Sequence, residues 1–233
     1  MARWFENKFE VKNSRRRGGG LFPNSNLSYT SIIIGVNIIT FLGFFILTYL
    51  IGETKAISLI ALQPATILSA TAIWTLITSM FMHGGITHLF VNMVSLLFIG
   101  NFVEKLIGKK RFLWIYFISG IFAGILFVAI AYFTNSNLDI YAVGASGAIF
   151  GLGGLLAVLT PRLPVLVFFI IPMPMWAAMI FLLGVLWILS SSLGIPIGNW
   201  AHLGGLIVGV GYGFYLQKKY PKRTKIIKNY FSR

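Results

Sequence analysis

The chain contains no cysteine, only five acidic residues and only three histidines among its 233 residues. Without cysteine there can be no disulfide, no thiolate metal site and no cysteine nucleophile. The acids are Glu6, Glu10, Glu53, Glu104 and Asp139. Together with three histidines they are too sparse to assemble a metal cage readily, so neither a metal nor a cofactor is expected. Polar surface is scarce as well, since 57% of the residues are hydrophobic. Apolar stretches of about 20 residues recur along the chain, and such stretches indicate helices that cross a bilayer. The opening MARWFENKFEVKNSRRRGGG lacks the short apolar core and small-residue cleavage site of a secretory leader. It is expected to be a flexible basic tail.

What the chain does have is six apolar runs, at about residues 30–51, 86–107, 112–134, 143–160, 174–192 and 199–217. A long connection over 53–85 joins the first two. Its segment AISLIALQPATILSATAIW is apolar but broken by Pro64, so it is expected to lie at the membrane interface rather than to span. The proline-rich LPVLVFFIIPMPM (163–175) predicts a packed or re-entrant approach to the fifth span. Charge then sets the orientation. Of the 19 basic residues, six lie in the N-terminal tail, four in 105–111, one at Arg162 and seven in 218–233. These regions share one side of a six-span chain, and the other side holds only Lys55. The positive-inside rule puts both termini in the cytoplasm. The net charge of +14 is thereby accounted for by topology and attraction to anionic lipid. Nucleic-acid binding is not expected, because the basic runs carry no organised pattern of stacking aromatics.

In VGASGAIFGLGG (143–154) a lone serine stands among small residues. Spans two, four and six all run from outside to inside. His88 and Asn92 fall in the first turns of span two, Ser146 near the start of span four and His202 near the start of span six. All four are expected at one depth in the outer part of the membrane. Each has a plain structural alternative, since a serine or asparagine in a membrane helix often makes only an interhelical hydrogen bond. An intramembrane histidine is by default a functional candidate, and the convergence of four polar groups favours chemistry. Gly147 and Gly151 continue one face below Ser146, and Gly205, Gly209 and Gly213 continue one below His202. If those small faces pack together, Ser146 and His202 meet at the top of the seam.

A serine needs a base, and His202 is the candidate. No acid fits as a third member: Glu104 belongs at the cytoplasmic end of span two and Asp139 in an outer loop. A Ser–His dyad is therefore expected, its imidazole supported by Phe150 one turn below Ser146. Donors for a developing oxyanion would be the Ser146 N–H, His88 and Asn92. His83 stands at the mouth of the site, although HGG (83–85) also reads simply as a loop ending at a helix start. The soluble-hydrolase elbow is excluded, because Ala148 stands where that pattern needs glycine.

MHGGITHLFVNMVSLLFIGNFVE, GASGAIFG and AHLGGLIVG resemble, in order and spacing, the signature segments of rhomboid intramembrane serine proteases, and the likeness runs over roughly residues 30–217. It implies an all-α polytopic membrane protein, a six-helix bundle with an interfacial loop between helices 1 and 2. It implies Ser146 as nucleophile, His202 as general base, and His88 and Asn92 as oxyanion donors. His83, Gly144 and Phe150 take supporting places, and Glu104 is a structural residue at the inner end of span two. IWTLITSMF matches the family's outer-leaflet connection. Where the family often has Trp-Arg, this chain has Trp74 and Thr75, so an arginine anchor on lipid headgroups is missing.

The expected organisation is a basic cytoplasmic tail (1–28), a six-helix membrane protease domain (29–217) and a second basic cytoplasmic tail (218–233). The expected place is the cell (plasma) membrane with the active site toward the outer face. The expected partners are membrane lipids and transmembrane protein substrates, cut at segments with helix-weakening residues. SSSLGIPIGNWAHLGG (190–205) is suited to a mobile cap. Two alternatives stay open: a transporter or channel, and a noncatalytic protein that binds membrane helices.

Overall fold

The computed structural model describes residues 28–168, 170–193 and 198–231. The expected N-terminal tail therefore lies outside the described residues as far as residue 27, and so does the 194–197 part of the expected cap. Helices fill all six stretches in which spans are expected. Four are long and apolar enough to cross a membrane by length and composition: Tyr29–Ile51, Ile86–Ile107, Lys109–Phe133 and Met175–Leu193.

Helix α1 (Tyr29–Ile51) begins where polar groups from two places receive its first N–H donors. Ser28 accepts the Ser31 N–H at 3.0 Å. Glu104 accepts the Tyr29 N–H at 3.0 Å, the Thr30 N–H at 2.8 Å and the Thr30 hydroxyl at 2.8 Å. A helix leaves these N–H groups without internal partners, and a carboxylate there also meets the positive end of the helix dipole. Only the stripe Thr30, Ile33, Asn37 and Phe41 of α1 is buried, so this cap is a principal attachment of the helix. Glu104→Ala is expected to cost about 3 kcal/mol, because it strands buried donors that bonded a charge. Thermal unfolding in detergent checks this, and a melting temperature equal to the parent's would refute it.

The connection to the next long helix folds as α2 (Glu53–Ile60), α3 (Pro64–Leu68), α4 (Thr75–Thr78) and a 3-10 turn at Ser79–Phe81. Pro64 opens α3, where its missing N–H costs nothing. Trp74 Nε1–H donates to the Leu59 carbonyl at 2.9 Å, and the Thr78 hydroxyl donates to Ile60 at 2.8 Å. Thr75 is fully buried with its hydroxyl on the Ala72 carbonyl at 2.7 Å. It turns inward and closes the local turn.

Helix α5 (Ile86–Ser95) passes through a π-helical turn, Leu96–Gly100, into α6 (Asn101–Ile107), and α7 (Lys109–Phe133) follows. Helix α8 (Ser146–Leu159) is the centre of the molecule: from Gly147 to Leu156 every residue is buried. Its 14 residues rise about 21 Å, less than a hydrocarbon core of about 30 Å. Helix α10 (Asn199–Lys219) and α7 pack around it. The α8–α10 seam is made by glycine. A β-carbon on Gly205 would overlap the Gly147 carbonyl oxygen, and one on Gly209 would overlap that of Gly151.

The stretch 163–175, expected as a packed or re-entrant approach to the fifth span, is largely extended backbone, with Leu163 and Val165 packed against the core and Val167 buried. It is an antiparallel hairpin, β1 (Pro164–Val167) with β2 (Ile171–Pro174), leading directly into α9 (Met175–Leu193). Its prolines exclude a helix, and Val165, Val167 and Ile171 favour extended backbone. Beyond α10 the expected C-terminal tail is ordered as α11 (Pro221–Tyr230), with Pro221 at its first turn.

Candidate active site

The loop before α8 is fastened to the α1–α5 connection. Leu62 and Ala142 exchange backbone bonds at 3.0 and 2.8 Å, Ala65 N–H donates to Leu138 at 3.1 Å, and Gly144 N–H donates to the Ser79 carbonyl at 2.9 Å. Gly144 then takes a φ of +124°, a conformation open to glycine and strained for other residues. The helix therefore starts at Ser146 itself, and not at the expected residue 143. Ser146 stands at the first turn, where backbone N–H groups lack internal acceptors.

His202 sits in the first turn of α10 and faces this point. Its Nε2 is 2.8 Å from the Ser146 Oγ. With the ring proton on Nδ1, Nε2 accepts the hydroxyl hydrogen. Phe150, one turn below Ser146, stacks on the imidazole with centroids 4.6 Å apart and planes inclined by 19°. His202 is buried, and Nδ1 meets no protein partner among the described residues. Glu104 is held at the start of α1, while the Asp139 carboxylate lies beside the Gln63 amide. Among the described residues the geometry thus brings a hydroxyl and an imidazole together without a carboxylate.

His88, in the first turn of α5, presents the edge of its ring. A β-carbon at Gly144 would stand 2.9 Å from the His88 Nε2 and 3.7 Å from the Ser146 Oγ. Gly144 accordingly serves two purposes, the turn into α8 and the space for His88. One turn further along α5, the buried Asn92 donates Nδ2–H to the His88 carbonyl at 2.8 Å. A second Nδ2 hydrogen remains for another acceptor. His83 packs edge-on against His88 with centroids 5.0 Å apart and is buried.

Ser146, His202, His88, Asn92, Gly144 and Phe150 border one cavity of about 910 Å³, and the buried His83 is not part of its lining. The same cavity reaches Phe168 at the hairpin turn and Met179, Leu182 and Leu186 of α9. The sequence reading did not include these in the site. They carry no chemistry-bearing group, and only the fold brings them within reach of Ser146.

Fold and cavity together define an integral membrane protein whose buried pocket holds a serine–histidine pair. The pattern of the Rhomboid domain matches residues 70–219, and the chain belongs to the Rhomboid family. It is 37% identical over 152 residues to RHOMBOID-like protein 4 of Arabidopsis thaliana, covering 61% of this chain and 34% of that protein. It is 35% identical over 156 residues to the mitochondrial Rhomboid protein 1 of Saccharomyces cerevisiae, covering 65% of this chain and 44% of that one. Rhomboid protease GluP of Bacillus subtilis is 35% identical over 150 residues, covering 63% of this chain and 28% of GluP. The matched region spans less than half the length of each of these relatives.

Proposed function

We propose that the chain is an intramembrane serine endopeptidase that cuts transmembrane or membrane-adjacent segments of other membrane proteins. The observation that carries this reading is the 2.8 Å contact between His202 Nε2 and Ser146 Oγ inside a cavity. The relative GluP, a protein named as a rhomboid protease, points the same way. In this reading the helices of all six apolar runs form the membrane bundle, with the α2–α4 connection in the outer leaflet and both termini cytoplasmic. The cell membrane is the proposed location, with Ser146 opening toward the outer face. Helix α8 is too short to reach both surfaces, so Ser146 lies below the outer one. Water reaches it through the cavity.

In the reaction, Ser146 Oγ attacks the scissile carbonyl carbon as His202 Nε2 takes the hydroxyl proton. The C–N bond then breaks and the same proton passes from His202 to the leaving amine. Water next attacks the acyl-serine, His202 takes a water proton, and that proton returns to Oγ. The carbonyl oxygen becomes negative in both steps. The Ser146 N–H, the His88 ring and the free Nδ2 hydrogen of Asn92 are the donors for it. Asn92→Ala is expected to lower kcat by about 100-fold with little change in KM, because this donor acts chiefly in the transition state. Steady-state kinetics on a reporter read this directly, and equal kcat in the two proteins would remove Asn92 from the oxyanion site.

A peptide bond within an intact helix is hydrogen-bonded and shielded, so substrates must unwind locally. Reporters with glycine or other helix-weakening residues near the cut are preferred in this reading. The test uses purified protein in liposomes with a single-span reporter, together with a fluorophosphonate that labels activated serines. Two fragments, and label on Ser146, are the expected results. An intact reporter and an unlabelled Ser146 in folded protein would defeat the protease reading. Reporter bound but uncut would then favour helix capture, and solute flux would favour transport.

A further inference from the structure

The cavity holding Ser146 is longer than the reaction requires. Its wall on α5 and the π-helical turn that follows runs from His88 through Val91 and Ser95 to Ile99, a rise of about 16 Å along a helix axis. The facing wall is Met179, Leu182 and Leu186 of α9. Among the described residues α5 and α9 share no extended packing seam. The β1–β2 hairpin reaches this arm, and Phe168 at its turn lines the cavity.

The hairpin is built for such a place. Leu163 and Val165 pack against the core, and Val167 beside the turn is buried. The Met175 N–H donates to the Leu163 carbonyl at 2.9 Å. From that pair, antiparallel alternation makes 165/173 and 167/171 the mutually bonded pairs. The intervening pairs, Pro164/Pro174 and Leu166/Pro172, direct their N–H positions outward. Three of those four residues are proline and have no N–H to leave unpaired. A free strand edge in lipid leaves N–H and C=O groups unsatisfied, and here proline removes nearly all of the outward N–H groups. Phe168 itself has a φ of +52°. That conformation costs a side chain about 1–2 kcal/mol and usually falls to glycine or asparagine. An aromatic ring is held at the cavity at the expense of local strain.

We propose that the hairpin is the inner wall of a substrate-binding arm and that Phe168 limits the size of the side chain accepted there. The occupant is the apolar part of a transmembrane substrate on the membrane-inner side of the cleaved bond, so the proposal rests on the protease reading for the bond cut. The arm is continuous with the cavity around Ser146, and apart from Ser95 its named walls below Asn92 are apolar. It suits aliphatic residues and offers little to polar ones. A small substrate residue fits beside the Phe168 ring, whereas a large one needs the same space.

The first arm of the test uses reporters that differ only in one residue on the inner side of the cut, Ala, Leu or Phe. The parent should favour the alanine reporter. Phe168→Ala should raise kcat/KM for the phenylalanine reporter at least tenfold relative to the alanine reporter. An unchanged size profile in this variant would overturn the proposal. The second arm needs no catalysis. The chain has no cysteine, so Phe168→Cys in a Ser146→Ala background supplies its only thiol. With copper phenanthroline as oxidant, it should form disulfides with reporter cysteines placed on the inner side of the cut and none with those on the outer side. Absence of any disulfide, or equal yields at all positions, overturns the proposal. Cleavage by the parent without these disulfides would remove the hairpin from the substrate path and leave the protease reading standing. Disulfides in the variant, with no cleavage by the parent, would do the reverse and leave the arm as a helix-binding groove.

Discussion

His202→Ala is expected to lower turnover of a single-span reporter by about 10,000-fold or more, and adding Ser146→Ala should lower it no further. In the proposed mechanism the two side chains act as one unit across their 2.8 Å contact. Removing either leaves nothing for the other to do, so the losses do not add. What remains comes from binding and oxyanion donors. In a triad a carboxylate orients the histidine and stabilises its charged form. Here the Phe150 ring, 4.6 Å away, stacks on the imidazole, restrains its plane and supplies no charge. The comparison uses kcat/KM in liposomes for both single variants and the double variant, after matched melting curves. If His202→Ala retains a tenth of parent activity, another base serves Ser146, and His88 beside Gly144 is the next in reach.

Different parts of this arrangement were legible in the sequence to different degrees, for physical reasons. Helices in all six apolar runs follow from the sequence, and four of them reach the length that a bilayer demands, about 20 apolar residues. The meeting of Ser146 with His202 follows from two small-residue faces and the alternation of span direction. The start of α8 was less legible. VGAS is apolar and small throughout, and only the bond from Gly144 N–H to Ser79, with the positive φ of Gly144, sets the helix start at Ser146. The hairpin was illegible for a different cause. A short run of valine, isoleucine and phenylalanine has no period that separates strand from buried helix, and its prolines announce only that a helix is unsuitable. Glu104 presents a third case. Its place at the end of span two was readable, but its partners, Tyr29 and Thr30, lie about 75 positions earlier. Nothing local in either segment records that pairing.

The same seam that brings Ser146 to His202 leaves no room for a side chain at Gly205. Gly205→Ala is expected to lower the melting temperature markedly and to cut kcat/KM by at least 100-fold. A β-carbon there would overlap the Gly147 carbonyl oxygen and stand 2.8 Å from its carbon. Both obstacles are backbone, so no rotamer relieves the contact and the helices must separate. Alanine favours a helix over glycine by about 1 kcal/mol, whereas overpacking a well-filled contact costs about 1–3 kcal/mol and more when backbone must move. The steric term wins. Gly147 adjoins Ser146, so moving its carbonyl also moves the proposed nucleophile, and a displacement of about 1 Å can cost about 100-fold in rate. Gly209→Ala meets the Gly151 carbonyl in the same way one turn lower. It should lose similar stability but less activity, because Gly151 is farther along α8 from Ser146. Gly211 has open space around the β-carbon position, and Gly211→Ala should stay within about 0.5 kcal/mol of the parent. Melting curves and reporter kinetics on the three variants separate packing from chemistry. A graded loss of activity, greatest at Gly205, means that the glycine contact sets the distance across which the serine gives up its proton. Parent-like stability and rate in Gly205→Ala would mean that the helices can part without disturbing the pair, and the seam would then have no part in holding Ser146 against His202.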